Sequence, residues 1–157
     1  MRIVLQRVTE ASVAVDGAVV GRIGRGLLAL VGVAGDDDDA TARRLAAKTA
    51  ALRLFPRGDR GFDATVSEAG GAVLCVSQFT LLGDVRRGNR PSWSGAAAPE
   101  HAAPLVDAYA AELEALGVPV AHGRFGAHME VRLLNDGPVT LVLDSDELAR
   151  SRRPSAD

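Results

Sequence analysis

The pair Asp16-Gly17, set between the strand-like runs 12–15 and 18–23, constrains this chain more than any other feature. Asp-Gly between two extended runs is a hairpin signal, because both residues accept the positive φ that a tight β-turn needs. The run 3–8 also reads as β, and 27–33 is an unbroken apolar stretch, the pattern of a buried strand. The N-terminal part of the chain is therefore committed to sheet.

Helical periodicity begins after the acidic run 36–39, whose carboxylates suit the positive end of a helix dipole better than a metal site. From 40 to 54, Leu45, Thr49 and Leu52 share one face, while Arg43, Arg44 and Lys48 lie largely outside it; Pro56 ends the pattern. Residues 57–71 are turn-rich, and 72–80 reads as a central strand. A second helix is expected over 99–116, with Leu105, Tyr109, Leu113 and Leu116 on one face and Gly117 at its C-terminal cap. Pro104 fits best if the regular helix starts near Ala103. The runs 127–134 and 139–143 read as a hairpin around Asp136-Gly137. The expectation is an α+β fold, mostly antiparallel β-sheets packed with two main helices, as a single domain over 1–145 followed by a disordered tail, 146–157.

With 157 residues, 47% of them hydrophobic, the chain can bury a real core. Charges interrupt every apolar run well short of the roughly 18 residues of a membrane span. The charged start, Met1-Arg2, does not resemble a signal peptide. A single cysteine, Cys75, excludes an intrachain disulfide, and its apolar strand setting makes it an inert core thiol. These features favour a soluble, cytoplasmic protein. The net charge of −2 argues against wrapping long nucleic acid, which needs many clustered cations, but not against gripping one RNA end locally.

Polar chemistry concentrates in two segments, Ser77-Gln78-Phe79-Thr80-Leu81 and Asn135-Asp136-Gly137-Pro138-Val139-Thr140. Hydroxyls, an amide and aimed backbone carbonyls suit recognition of a small polar group, such as an ester of a small acid; no metal and no cofactor is called for. In an unbroken strand Gln78 and Thr80 face one side and Ser77 and Phe79 the other; a break near Ser77 lets all four line a pocket mouth. Ser77 and Thr80 fit equally well as hydroxyls that satisfy backbone groups at a strand end. Gly137-Pro138 fits an ordinary hairpin turn, although a proline there removes a backbone donor at the start of a strand, which is tolerated at an edge or a special turn.

A Ser–His–Asp hydrolase would draw on His101, His122 or His128, yet the Gly-x-Ser-x-Gly elbow is absent and no zinc-ligand spacing exists. Between 82 and 98 runs a loop of roughly sixteen residues, long for a structureless connection. Its Arg86, Arg87, Arg90 and Trp93 form either a solvated loop or a contact for the phosphates and a stacked base of a single-stranded RNA end.

These two segments resemble the D-aminoacyl-tRNA deacylase family. So do Ile3-Val4-Leu5-Gln6-Arg7-Val8, Ala11-Ser12-Val13, Gly26-Leu27-Leu28, Arg90-Pro91-Ser92 and Gly123-Arg124-Phe125, in the same order. The resemblance implies a homodimer that hydrolyses the ester between a D-amino acid and the 3′-terminal adenosine of tRNA, and also removes mischarged glycine, without a cofactor. It implies a cis Gly137-Pro138 bond whose flanking carbonyls enter the partner subunit's pocket and exclude L-side chains, with Arg7 holding the motif's orientation. Ser77, Gln78, Phe79 and Thr80 would form the other wall, the amides of Phe79 and Thr80 polarising the ester. Thr80 has been regarded as a nucleophile in the family; assistance by the ribose 2′-hydroxyl is the alternative favoured here. Gly61-Phe62-Asp63-Ala64-Thr65 departs from the family's Lys-Met-Asn-like segment. Two rivals remain: a serine esterase built on Ser77, and a non-catalytic RNA-end module built on Arg86, Arg87, Arg90 and Trp93.

Overall fold

The computed structural model describes residues 1–150. Strand β1 (Arg2–Val15) is the spine of the sheet. Its outer half pairs antiparallel with β2 (Ala18–Ile23) through the Asp16-Gly17 turn, and its first half pairs antiparallel with β3 (Gly26–Gly32). Helix α1 (Asp39–Ala51) starts on Asp38, whose side chain accepts from the Thr41 amide at 2.8 Å, so the acidic run does cap a helix. The hairpin β4 (Phe55–Arg57) and β5 (Arg60–Ala64) follows, then β6 (Ala72–Ser77), helix α2 (Pro99–Ala115), β7 (Val120–His122), β8 (Glu130–Asp144) and the short α3 (Ser145–Ala149).

The sheet order is β2-β1-β3-β6-β7, with β8 on the other edge of β1. The expected antiparallel character holds around β1 and in the separate β4–β5 hairpin, whereas β3–β6 and β6–β7 are parallel, so the main sheet is mixed. The reason lies in the connections. The chain leaves β3 and β6 through helices α1 and α2, and such crossovers return a strand in the same direction. Strands β3 and β6 are covered on both faces, as an unbroken apolar run requires. One face packs Leu27, Val31, Val73 and Cys75 against Leu45, Tyr109 and Leu113 of the helices. The other packs Leu28, Leu74 and Val76 against Val8, Val13 and Ile23, where the sheet curls over on itself.

Three local expectations are corrected. Residues 130–144 form one strand, not a hairpin: β8 runs antiparallel along the whole of β1, from Ala14↔Glu130 to Arg2↔Asp144. The register slips between Asn135 and Thr140, so Asp136-Gly137-Pro138 bulges from the ladder, where a residue without an N–H costs no strand bond. Helix α2 begins at Pro99, and Pro104 lies inside it; Leu116 is its C-cap and exposed, off the buried face of Leu105, Tyr109 and Leu113. The cap itself closes as expected, with Gly117 N–H donating to Glu114 O and Val118 N–H to Leu113 O. The tail expected from residue 146 opens in α3 instead, whose cap Asp144 accepts from the Asp146 amide. The rest of that tail, residues 151–157, lies outside the described residues. Among the described residues no helix is long and apolar enough to cross a membrane.

Candidate active site

Strand β6 breaks at Ser77, and the break builds the site. Gln78 N–H still reaches Val31 O at 2.7 Å, after which the chain turns into the 3-10 helix Phe79–Leu82. The alternation of an unbroken strand therefore fails, and Ser77, Gln78 and Phe79 together line a cavity of about 380 Å³. Its other walls are apolar: Val31 and Val33 from β3, Ala102 and Val106 from α2, Trp93 and Phe125 from the flanking loops. A smaller cavity of about 220 Å³ shares Ser77, Gln78 and Phe79 and is closed by Gly126, Ala127, His128 and Met129. Phe79 is 59% exposed, its ring edge-on to Trp93 at 5.7 Å and 71°.

At the head of the 3-10 turn, the first amides have no partner within the helix. Those are the amides of Phe79 and Thr80, which have no hydrogen-bond partner among the described residues. The Gln78 side-chain amide donates to Thr80 Oγ1, fixing the hydroxyl and occupying one of its lone pairs. Among the described residues no base is hydrogen-bonded to the Thr80 or Ser77 hydroxyl. His101 Nε2 is 2.8 Å from Asp37 O, His122 lies 3.8 Å from Glu114, and His128 shares the smaller cavity with Ser77 with no hydrogen bond between them among the described residues. Burial pushes the Cys75 thiol up to about 12, consistent with an inert core cysteine. Among the described residues no cluster of His, Cys, Asp and Glu is arranged to hold a metal.

Gly137-Pro138, whose peptide bond is cis, occupies the β8 bulge. Strands β1 and β3 lie between β8 and β6, and neither residue lines the cavities formed by Ser77, Gln78 and Phe79 of its own chain. Arg7 holds the bulge in place. Its Nε donates to Asp136 O at 3.2 Å and faces the Asp136 carboxylate at 3.2 Å, while Nη1 donates to Leu54 O at 2.6 Å. Asn135 Nδ2 bridges Arg7 O and Val139 O, closing the base of the bulge. Gly137 has φ +132°, and a Cβ there would fall 2.7 Å from Val139 Cγ2 and 3.2 Å from Arg7 Nη2, so only glycine fits.

Two contributions escaped sequence reasoning. Phe62, on β5, lies under the Arg7 guanidinium at 5.7 Å, and nothing in its local sequence marks that contact. Phe125 and the residues around Ala96 wall the main cavity, a placement that neither the family likeness at Gly123-Arg124-Phe125 nor the length of the 82–98 loop specified.

The chain matches the family model described as D-Tyr-tRNA(Tyr) deacylase over residues 4–144. It is 58% identical to a D-aminoacyl-tRNA deacylase of Roseiflexus castenholzii, over 92% of each chain. To the D-aminoacyl-tRNA deacylase of Chloroflexus aurantiacus it is 57% identical, over 98% of this chain and 96% of the relative. Among solved structures it superposes on the c-Myc DNA Unwinding Element Binding Protein with a TM-score of 0.86 and 36% identity, over 92% of this chain and 98% of that one. A probable eukaryotic D-amino acid tRNA deacylase shares the fold at a TM-score of 0.79 and 19% identity, over 90% and 97% of the two chains.

Proposed function

The chain belongs to the D-Tyr-tRNA(Tyr) deacylase family, and we propose that it hydrolyses the ester of D-aminoacyl-tRNA, and of mischarged glycyl-tRNA, to free tRNA and amino acid. The observation that carries this reading is the break after Ser77, which places an apolar cavity beside the unpartnered first amides of a 3-10 turn. Water adds to the ester carbonyl carbon, and the amides of Phe79 and Thr80 hold the oxyanion; the bond to ribose O3′ then breaks, and O3′ takes a proton. Oxyanion donors of this kind contribute about 3–4 kcal/mol each. Ser77 and Gln78 wall the site, and Gln78 fixes the Thr80 hydroxyl.

With one Thr80 lone pair engaged and no base hydrogen-bonded to it among the described residues, proton transfer falls to the ribose 2′-hydroxyl of the substrate. Thr80→Val therefore keeps near-normal turnover in this reading. A large loss together with a trapped acyl-enzyme would assign the attack to Thr80.

Selectivity resides in Gly137-Pro138. An L-side chain would collide with the carbonyls of the bulge, whereas hydrogen or a D-side chain fits, so discrimination comes from exclusion of the wrong enantiomer. Because the bulge does not reach its own chain's cavity, the filter acts on a second copy, which makes the working unit a homodimer. Supporting that assembly, β8 pairs only with β1 among the described residues, which leaves its other edge open, and Leu134 and Val142 of β8 are exposed. A substrate charged during translation places the protein in the cytoplasm.

The deciding experiment follows amino-acid release from D-Tyr-tRNA and L-Tyr-tRNA side by side. Cleavage of the D-ester alone is expected. Equal cleavage would indicate a general esterase, and cleavage of neither would favour an RNA-end binding module.

A further inference from the structure

The loop between the 3-10 turn and α2 is a small hairpin standing on the rim of the main cavity. Asp84 and Ser92 exchange backbone hydrogen bonds of 2.7 and 3.0 Å and pinch its base. Below the pinch, Gly83 N–H bonds to Thr80 O, and the Trp93 indole crosses Gly83 so closely that a Cβ there would lie 3.2 Å from Nε1. Trp93 then packs on Phe79, so the hairpin is tied at both ends to the segment that carries the reaction.

Its arginines differ in kind. The Arg86 guanidinium grips Asp84 through Nε at 2.9 Å and Nη2 at 2.6 Å, and the Arg86 amide bonds the same carboxylate at 2.9 Å. Its charge is therefore matched within the hairpin. Arg87 and Arg90 are exposed and pair with no carboxylate among the described residues. A groove of about 400 Å³ runs alongside, lined by Asp84, Arg86, Arg87 and Ser92.

We propose that this hairpin is the docking site for the phosphodiester backbone of the RNA 3′ end, with Arg87 and Arg90 as the phosphate-contacting cations and Arg86 as an internal strut. The inference rests on the reading of the neighbouring cavity as an ester-hydrolysing site for charged RNA. The ester sits on the terminal ribose and the first phosphodiester lies one ribose away, toward a hairpin that rises from the cavity wall at Trp93 and carries Arg87 and Arg90. A chain of net charge −2 has no general affinity for a polyanion, so grip on the RNA falls to such a local patch.

The test compares wild type, Arg87→Ala/Arg90→Ala, Arg87→Lys/Arg90→Lys and Arg86→Ala on three probes: D-tyrosyl-tRNA, phosphate-free D-tyrosyl-adenosine, and binding of uncharged tRNA. The double alanine variant is expected to weaken tRNA binding roughly 10-fold and to reduce the slope of log affinity against log salt by about 1 per arginine. Its KM for D-tyrosyl-tRNA rises to match, turnover of D-tyrosyl-adenosine is unchanged, and the lysine pair restores most of the binding. Unchanged tRNA binding and salt slope, or an equal loss on charged tRNA and the phosphate-free ester, would overturn the docking site. Arg86→Ala should act alike on both esters, through the hairpin's shape; a loss confined to tRNA would overturn its role as a strut. A wild type inert toward both esters would instead overturn the hydrolytic reading, and the uncharged-tRNA arm would still decide whether Arg87 and Arg90 hold phosphate.

Discussion

Arg7 serves the site without lining either cavity: it ties the Gly137-Pro138 bulge to Leu54 O and rests on the Phe62 ring. Phe62 is 63% exposed and lies on β5, far in sequence from the Gly137-Pro138 bulge that Arg7 holds. A cation–π contact at an exposed site contributes about 0.5–1 kcal/mol. Phe62→Ala is accordingly expected to lower the ratio of D- to L-Tyr-tRNA cleavage by about threefold, with little change in the denaturation midpoint, and Phe62→Met to retain most of it. A ratio unchanged in Phe62→Ala would mean that Leu54 O and Asp136 suffice to hold Arg7. Residue types and motif singled out Ser77, Gln78 and Phe79, which line one cavity, and Gly137, which sits in the bulge, while Arg7 was marked by the family resemblance alone. Sequence reasoning missed Phe62, because a guanidinium and a ring brought together by two distant strands leave no periodic or spacing signal.

Helices α1 and α2 meet at a buried polar contact, the Tyr109 hydroxyl donating to Thr49 Oγ1 at 2.9 Å while Thr49 donates to Leu45 O at 2.9 Å. Thr49 and Tyr109 were each legible as members of the inward face of their helices, whereas their pairing was not, since contact between helices is decided by packing. The two deletions are not equivalent. Tyr109→Phe removes one donor and is expected to cost about 1 kcal/mol, while Thr49→Val strands a buried phenol and costs about 2–3 kcal/mol. Urea denaturation of the two variants measures both, and equal losses would show that water reaches the helix interface. Strand β8 makes the same point for the sheet. Its two apolar halves around Asp136-Gly137 satisfy the sequence pattern of a hairpin, yet both pair with β1, which is long enough to receive them end to end.

The whole molecule places its two motif segments on opposite sides of β1 and β3, which gives the homodimer reading a sharp consequence. A chain with a disabled pocket, such as Phe79→Pro, still carries an intact bulge, and a chain with Gly137→Ala still carries an intact pocket. If the filter acts across two copies, mixing and re-annealing the two variants restores D-selective cleavage at about a quarter of the wild-type level, allowing for random pairing and one competent site per mixed dimer. No recovery on mixing would place filter and pocket in the same chain. The proposed docking hairpin rises from one chain's cavity wall at Trp93.

By itself the sequence determined what is local. The Asp16-Gly17 turn, the buried strand β3, the Asp38 cap and the Gly117 stop follow from backbone sterics and from the burial pattern of neighbouring residues. Its residue types also marked Ser77 to Thr80 and Gly137-Pro138 as chemically unusual. The tertiary structure alone decided that β3, β6 and β7 run parallel, that β8 is one strand, that Phe125 and Trp93 wall the cavity, and that Arg86 is paired with Asp84 while Arg87 and Arg90 pair with no carboxylate among the described residues. The physical reason is that a strand's edge offers the same N–H and C=O groups to any partner. Which partner it meets is fixed by how distant apolar faces pack, and that choice is written in no single stretch of the chain.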